Sequence, residues 1–428
     1  MIDINLIREN RELVKENIKK KFKDDRIPLV DEVYELDIKF RNAKKEADDL
    51  RNEKNKLSSE IGFLIKENKV TEIENNKKRI SEISGRIKEL EVLEEEYEPK
   101  IKSLMYKIPN IIDESVPIGK DDSENVEIER FGEATVPSYE VPYHADILEK
   151  LSGLDKESAG RTSGNGFYYL MGNVARLHSA MLSYARDFMI EKGFTYCVPP
   201  FMIRSDVVNG VMSFEEMDAM MYKIESEDLY LIGTSEHSMI GKYKGQIINE
   251  ENLPITLTSY SPCFRKEVGA HGIEERGVYR VHQFEKEEMI VLCTKEEGMD
   301  WYNKMLSYTV EFFRSMNVPV RTLECCSGDL ADLKQKSADV EAWSPRQQKY
   351  FEVCSCSTLG DAQARRLGIR AKGEKGNYYV HTLNNTVLAS TRALIALLEN
   401  NYNEDGSINI PTALQPYMGG KTKIEKLK

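Results

Sequence analysis

The sequence predicts an α+β protein in which an antiparallel helical hairpin precedes a larger domain built on a mostly antiparallel sheet flanked by helices. Apolar residues recur every three or four positions from Val33 to Ile108, which is the spacing of a coiled-coil seam. Later apolar runs are short and separated by loops, which favours an antiparallel sheet over a doubly wound one. The acidic stretch 121–129 lies near the change of pattern, so we assign residues 1–115 to a helical domain and 116–428 to a sheet domain.

The composition limits the class of protein. Hydrophobic residues make up 40% of the 428 positions, enough for a sizeable core, so global disorder is excluded. No window approaches the roughly eighteen consecutive apolar residues of a membrane span, and residues 1–23 lack the apolar centre of a secretory signal. The seven scattered cysteines are expected to be reduced thiols. We therefore expect a soluble, cytoplasmic protein, and the net charge of −12 argues against nonspecific coating of polyanions.

Two helical runs form the predicted hairpin. The first carries its apolar seam from Val33 to Leu64, the second from Ile80 to Ile108, and 67–71 is the expected turn. Periodicity alone leaves open a dimerisation or spacer coiled coil and an arm that binds a polyanion. Basic residues on the outer faces favour contact with phosphates, although interleaved glutamates weaken that signal. These residues are Lys44, Lys45, Arg51, Lys54, Lys56, Lys77, Lys78 and Arg79.

The elements of the sheet domain follow in order. An amphipathic helix is predicted at 177–192, and a strand and the Pro199–Pro200 pair come after it. Strands are predicted around 229–232, 255–259, 289–293 and 350–354, and a strongly apolar helix at 388–398.

The segment from Ser261 to Glu285 is the most informative for chemistry and predicts a strand, a loop and a returning strand. Residues two apart on a strand point to the same face, so Arg265 is able to bind a phosphate or carboxylate while Glu267 accepts from an amine. On the returning strand, Arg280 adds a second cation and Phe284 a ring able to stack on a base. Taken singly, each residue is better explained by a surface ion pair or a core phenylalanine, but together they indicate a nucleotide site.

Two further segments support that interpretation. The segment from Glu352 to Ser355 places oxygen ligands close together, which suits Mg²⁺ bound against a polyphosphate. Arg392 lies in an apolar helical run, where its charge must be paired, and its guanidinium is able to stack on an adenine. Metal ligation by thiols is not expected, because neither 325–326 nor 354–356 has the two-residue spacer of a zinc site.

In these residues and segments, the sequence resembles a seryl-tRNA synthetase, which is a class II aminoacyl-tRNA synthetase. The resemblance rests on the helix, strand and proline pair ending at Pro200, the segment from Phe264 to Glu288, the segment from Thr386 to Arg392, taken as helical, and the hairpin. It implies that L-serine is activated with ATP and Mg²⁺ to seryl-adenylate and then transferred to the 3′ end of tRNA(Ser). It also implies a homodimer, tRNA binding through the helical arm, and neither membrane nor DNA as a partner. Charging of tRNA(Sec) stays open.

The resemblance also implies a role for each residue of the site. Glu236 would lie near the serine amine, Glu288 at the serine hydroxyl, and Arg265 at the serine carboxylate and the α-phosphate. The full serine-binding set is Thr234, Ser235, Glu236, Arg265, Glu288, Asn384 and Thr386. The ATP-binding set is Arg265, Lys266, Glu267, Arg280, Val281, Phe284, Glu352, Val353, Cys354, Ser355 and Arg392. In the second set, Phe284 and Arg392 would sandwich the adenine, and Glu352 and Ser355 would hold Mg²⁺.

Two other functions stay open at this point. One is a relative that charges a carrier protein or a different amino acid, against which the hairpin and the two pocket glutamates argue. The other is a non-catalytic RNA-binding or scaffold protein, against which Arg265, Glu352 and Arg392 argue. Two features depart from the family pattern. Glu287 occupies a position that is usually apolar, and the methionine-rich segment 211–222 is predicted to be a mobile loop.

Overall fold

The computed structural model describes residues 1–267 and 277–425. Val268 and Gly269, which end the first half of the predicted nucleotide segment, lie outside the described residues. The chain divides into two compact units, one of Ile2–Pro109 and one of Met1 with Asn110–Lys428. No helix in the described ranges is both long and apolar enough to cross a membrane. The predicted α+β class, with a helical N-terminal region and a mostly antiparallel sheet, is confirmed.

The N-terminal unit is entirely helical in its regular structure. It contains α1 (Ile4–Glu9), α2 (Arg11–Lys20), α3 (Ile27–Lys66) and α4 (Val70–Met105). Pro28 occupies the first turn of α3, where its missing N–H leaves no helical hydrogen bond unmade. Helix α4 begins at Val70, well before the apolar run predicted from Ile80. The glutamates and lysines of 72–79 are good helix formers, and α3 supplies a packing partner for them.

Helices α3 and α4 pack against each other through small and apolar residues. Ala43 and Ala47 of α3 form a buried cluster with Leu90 of α4. Ion pairs also join the two helices, with Arg51 2.9 Å from Glu91 and Arg79 2.8 Å from Glu53. Two of the arginines that were predicted to face phosphates therefore already have carboxylate partners. Such exposed pairs contribute at most about 1 kcal/mol each, so they fix register more than stability.

The second unit contains the sheet and its covering helices. The helices are α5 (His144–Lys150), α6 (Lys156–Thr162), α7 (Gly172–Glu191), α8 (Ser205–Val211), α9 (Phe214–Met220), α10 (Ser235–Gly241), α11 (Gly298–Ser315), α12 (Ala362–Leu367) and α13 (Ser390–Asn400). The strands are β1 (Val126–Phe131), β2 (Leu154–Asp155), β3 (Tyr169–Leu170), β4 (Thr195–Tyr196), β5 (Met202–Ile203), β6 (Tyr230–Leu231), β7 (Ile247–Asn249), β8 (Ile255–Phe264), β9 (Gln283–Cys293), β10 (Val320–Glu324), β11 (Lys336–Ser344), β12 (Lys349–Thr358), β13 (Arg370–Gly373), β14 (Gly376–Tyr379), β15 (His381–Ala389), β16 (Ile408–Asn409) and β17 (Lys423–Ile424).

The main sheet has the strand order β1-β10-β11-β12-β15-β9-β8-β4. Its neighbouring strands are antiparallel except at the β4–β8 edge, where the pairing is parallel. Strand β9 is buried on both faces, because its alternate residues belong to two different cores. Met289 and Val291 pack in the core that includes α7, α11 and α13, while Ile290 and Leu292 pack in the core that includes α8, α10 and α12. The strand therefore reads as a continuous apolar run after Glu288.

Two local predictions are wrong. The segment from Thr386 to Arg392 was assigned to a helix, but β15 continues to Ala389 and pairs with β9, and α13 begins only at Ser390. Strand pairing with a central neighbour outweighs the helical apolar spacing there. The segment 211–222 was assigned to a loop, but it contains α9, whose first turn is closed by a capping box between Ser213 and Glu216.

Candidate functional site

A cavity of about 440 Å³ is lined by residues from α9, α10, β9, β11, β12, β15 and α13 and by the segment that follows β8. Most of the predicted site residues line it: Thr234, Glu236, Arg265, Glu267, Arg280, Val281, Phe284, Glu352, Val353, Cys354, Ser355, Asn384, Thr386 and Arg392. The other three are placed differently. Ser235 is buried and donates to the carbonyl of Ser259, and the Lys266 ammonium donates to the carbonyl of Asp218. Glu288 is completely buried and contacts the lining residues Lys286, Asn384 and Thr386.

Glu288 is the centre of the polar contacts on one side of the cavity. Its Oε2 lies 2.6 Å from the Lys286 ammonium and accepts a hydrogen bond of 3.2 Å from the Thr386 hydroxyl. Its Oε1 accepts from the Asn384 amide at 3.4 Å. The pairing of β9 with β15 sets Thr386 directly opposite Glu288, so the sheet register itself assembles this cluster. A buried carboxylate with three polar partners is suited to accept one further hydrogen bond from a small hydroxyl group.

A second buried carboxylate, Glu236, lies on α10. Thr234 is the N-cap of this helix and accepts from the Glu236 backbone N–H at 3.4 Å, and the Glu236 side chain accepts from the Gln363 amide at 2.8 Å. Burial, and then the neighbouring charge of Glu288, raise the pKa of Glu236 to about 7. Its neighbour His237 is also buried, and burial together with Arg265 lowers the His237 pKa to about 3. The site thus contains a neutral imidazole and a carboxylate that changes charge near neutral pH.

Arginines and aromatic rings also line the cavity. Arg265 donates to the Gly233 carbonyl at 3.2 Å, and its guanidinium lies 5.3 Å from the centre of the Phe284 ring. Arg392 lies 2.9 Å from a Glu352 carboxylate oxygen, and its guanidinium is 4.9 Å from the centre of the Tyr279 ring. Two arginine–ring pairs therefore line one cavity, and this arrangement suits a ligand that carries both phosphates and a base.

Oxygen donors lie beside these arginines. Burial opposes ionisation of Glu352, but Arg392 outweighs it and lowers the Glu352 pKa. Asp339 pairs with Ser355 across β11 and β12, and burial with the charge of Glu352 raises the Asp339 pKa to about 6. Hard oxygen donors of this kind fit Mg²⁺. The potential ligand atoms of Cys325, Asp329 and Asp339 lie within 4.8 Å of one another. Burial raises the Cys325 pKa, however, and so disfavours the thiolate that binds metals.

Sequence reasoning missed several residues of the site. Lys286 stands two residues before Glu288 on one strand, so the same-face spacing that linked Arg265 to Glu267 was available to find it. Tyr279 stands next to Arg280 but carried no spacing signal. Gln363 is on α12, far along the chain, and reaches Glu236 only through tertiary folding.

Similarity to known proteins covers both units. Residues 1–112 match the family model described as seryl-tRNA synthetase N-terminal domain, and residues 221–401 match the model described as tRNA synthetase class II core domain (G, H, P, S and T). A serine–tRNA ligase of Thermococcus sibiricus is 42% identical over 98% of this chain and 97% of its own. The crystal structure of seryl-tRNA synthetase from Pyrococcus horikoshii complexed with ATP superposes with a TM-score of 0.94 at 40% identity, covering 100% of both chains. Cytoplasmic serine–tRNA ligase from Naegleria fowleri in complex with AMP gives 0.89 at 31% identity, covering 100% of this chain and 99% of that one.

Proposed function

This chain belongs to the seryl-tRNA synthetase family, and from that premise we propose how its site performs the reaction. The enzyme is a serine–tRNA ligase: it activates L-serine with ATP, releases pyrophosphate, and transfers the serine from the adenylate to tRNA, releasing AMP. The observation that carries the residue assignments is a pair of buried carboxylates at one cavity. Glu236 lines this cavity together with Arg265, and Glu288 contacts its lining residues Asn384 and Thr386.

Serine is recognised by its three polar groups. The Glu236 carboxylate receives the ammonium group, Arg265 binds the carboxylate, and Glu288 accepts a hydrogen bond from the hydroxyl, with Thr234, Ser235, Asn384 and Thr386 completing the pocket. Alanine lacks the hydroxyl, so it would leave a buried acceptor with one contact unmade, which is the kind of loss that gives strong discrimination. Threonine is excluded by the shape of the pocket.

Adenylate formation needs no nucleophile from the protein. A serine carboxylate oxygen attacks the α-phosphorus of ATP, and the bond to the pyrophosphate leaving group breaks. Arg265 binds the α-phosphate and Arg280 binds the terminal phosphate. The adenine lies between Arg392 and Phe284 and is recognised by Glu267 and the Val281 backbone. Alignment of the reacting groups and neutralisation of their charge then supply most of the rate. Lys266, Val353 and Cys354 complete the ATP-binding set of this proposal.

Glu352 and Ser355 would hold Mg²⁺. Their oxygen atoms are the ligand type that this ion prefers, and both residues line the cavity beside Arg392. When bound, the ion would neutralise charge on the polyphosphate.

The N-terminal helices are assigned to tRNA. We propose that residues 1–115 bind tRNA(Ser), because an A-form stem hides its base edges and is recognised through its backbone and shape, which suits lysine-bearing helical faces. We further propose that the enzyme works as a homodimer in the cytoplasm, with residues 116–428 as the catalytic domain.

The test is amino-acid-dependent ATP–pyrophosphate exchange on the purified protein, with Mg²⁺, without tRNA, and with all twenty amino acids. Exchange with serine alone is the expected result. Absence of exchange with all twenty amino acids, measured on folded protein, would contradict adenylation and favour a non-catalytic RNA-binding protein.

Two neighbouring variants sharpen that experiment. Glu287 and Glu288 are adjacent on β9 and both completely buried, but only the Glu288 carboxylate contacts Asn384 and Thr386 of the cavity lining. We expect Glu288→Ala to weaken serine use far more than ATP binding, while Glu287→Gln keeps both. Equal loss of serine and ATP binding in Glu288→Ala would contradict its assignment as the hydroxyl acceptor.

A further inference from the structure

Gln363 is the residue that joins Glu236 to the surrounding fold. It lies on α12 and its side chain is completely buried. Its Nε2 donates to Glu236 Oε1 at 2.8 Å and to the Val211 carbonyl at 3.2 Å, and its Oε1 accepts from the Thr382 hydroxyl at 2.7 Å. One amide therefore connects α8, α10, α12 and β15.

The orientation of this amide is fixed by its partners. The Val211 carbonyl is able only to accept a hydrogen bond, so the nitrogen end of the amide must face it. The same nitrogen then donates its second hydrogen to Glu236, and the oxygen end is left for the hydroxyl of Thr382. No other orientation satisfies all three contacts.

The charges around Glu236 explain why this donor matters. Burial and the charge of Glu288 on β9 disfavour the ionised carboxylate, whereas the Gln363 hydrogen bond, Lys286 on β9 and Lys334 favour it. A hydrogen bond donated to the charged form of an acid stabilises that form and restricts its rotamers. Gln363 contributes both effects, because the Val211 carbonyl holds the nitrogen end of its amide toward Glu236.

We propose that Gln363 is a positioning residue for serine binding, which holds the Glu236 carboxylate ionised and oriented toward the amine of the substrate. This inference rests on the proposed role of Glu236 in the serine pocket. Gln363 itself is not assigned to contact serine or ATP, so its effect is exerted through Glu236.

The experiment compares Gln363→Met with the wild-type enzyme in serine-dependent ATP–pyrophosphate exchange over a range of pH. Methionine has nearly the same length but no donor. We expect the KM for serine to rise roughly 10- to 150-fold, as for loss of a hydrogen bond to a charged group, with the KM for ATP within about threefold of wild type. We also expect the acidic fall in serine use to move to higher pH, because the carboxylate has lost a group that favours its charge.

Thr382→Val is the matched control, since it removes the hydroxyl that donates to the amide oxygen but leaves the Val211 carbonyl, which holds the amide nitrogen toward Glu236. If the role of Gln363 is purely structural, Gln363→Met and Thr382→Val should weaken serine use by similar amounts. Gln363→Asn is the second test if Gln363→Met does not fold, because it keeps a buried amide but withdraws it by one methylene group from Glu236.

We expect Thr382→Val to keep the serine KM and pH profile of the wild type, and Gln363→Asn to raise the serine KM selectively. An unchanged serine KM and pH profile in a folded Gln363 variant, or equal effects in Thr382→Val, would overturn the proposal. Absence of serine-dependent exchange in the wild type would instead overturn the proposed function, so the two failures are distinguishable.

Discussion

The Lys286 ammonium lies 2.6 Å from Glu288 Oε2, and the two side chains are 9% and 0% exposed on the same face of β9. The ammonium is also 3.4 Å from the Thr234 hydroxyl at the N-terminus of α10. The pair thus joins the strand that carries the proposed hydroxyl acceptor to the helix that carries Glu236. Because a lone carboxylate in such a dry position is strongly disfavoured, the lysine allows a charged acceptor to exist there.

Replacing Lys286 with methionine should therefore destabilise the protein. Removing one partner of a buried pair costs about 3–5 kcal/mol, because the other charge is left uncompensated. We expect urea unfolding to show a loss of that size in Lys286→Met and recovery of most of it in Lys286→Met/Glu288→Gln, without recovery of serine use. A single variant that unfolds at the wild-type urea concentration would show that Glu288 does not depend on this ion pair.

The pH dependence of serine use follows from Glu236. Burial and Glu288 raise its pKa to about 7, so the carboxyl gains a proton as the pH falls through neutrality. The protonated form no longer attracts the serine ammonium group, and we expect the serine KM to rise as pH falls from about 8 to about 6. Exchange kinetics with Glu236→Gln provide the control, because a neutral amide should give a high serine KM that does not change over this pH range. A serine KM that still rises at low pH in Glu236→Gln would show that another group causes the rise.

The buried carboxyl group of Glu287 on β9 makes the stability of the protein depend on pH. The Thr258 hydroxyl lies 2.6 Å from Glu287 Oε1 and 3.0 Å from the Glu288 carbonyl. The Thr258 hydroxyl is the donor in both contacts, so its one hydrogen is shared between the Glu287 carboxyl oxygen and the Glu288 carbonyl. Burial outweighs this hydrogen bond and raises the Glu287 pKa to about 8.

Glu287→Gln should increase stability, and by more at higher pH. The folded pKa of about 8 exceeds the ordinary value of 4.5, so between these values the unfolded chain binds fewer protons and wild-type stability falls as pH rises. Glutamine is always neutral, and its amide oxygen is able to accept the same hydrogen bond from Thr258. Urea unfolding at about pH 5 and about pH 8 should show the gain growing to the order of 1–3 kcal/mol. A gain that is independent of pH would mean that Glu287 is ionised in the folded protein.

The sequence predicted those parts of the site that depend on local spacing. Two-residue periodicity placed Arg265 and Glu267 on one face, and the heptad seam predicted both long helices. It did not place Ser390 at the start of α13, because β15 is a strand only through its pairing with β9. It also missed Gln363, whose contact with Glu236 spans 127 residues of chain. Contacts of this kind are set by packing, which no local pattern records.

The two units have separate cores, and this supports a test of the division of labour. The helical unit has its own cluster of Ala43, Ala47 and Leu90, whereas the cavity is lined only by residues of the other unit. Adenylation should therefore survive without the long helices.

Deleting residues 31–104 removes most of α3 and α4 and joins two positions at the base of the hairpin. We expect serine-dependent pyrophosphate exchange within about threefold of the full-length enzyme, because no lining residue of the cavity is lost. Charging of tRNA(Ser) should fall by at least about 100-fold, since the backbone contacts assigned to the helices supply much of the affinity for a structured RNA. Both assays are run on one preparation whose folding is checked by circular dichroism. Loss of exchange in a folded deletion variant, or charging at the full-length rate, would contradict the assignment of tRNA binding to the helical unit.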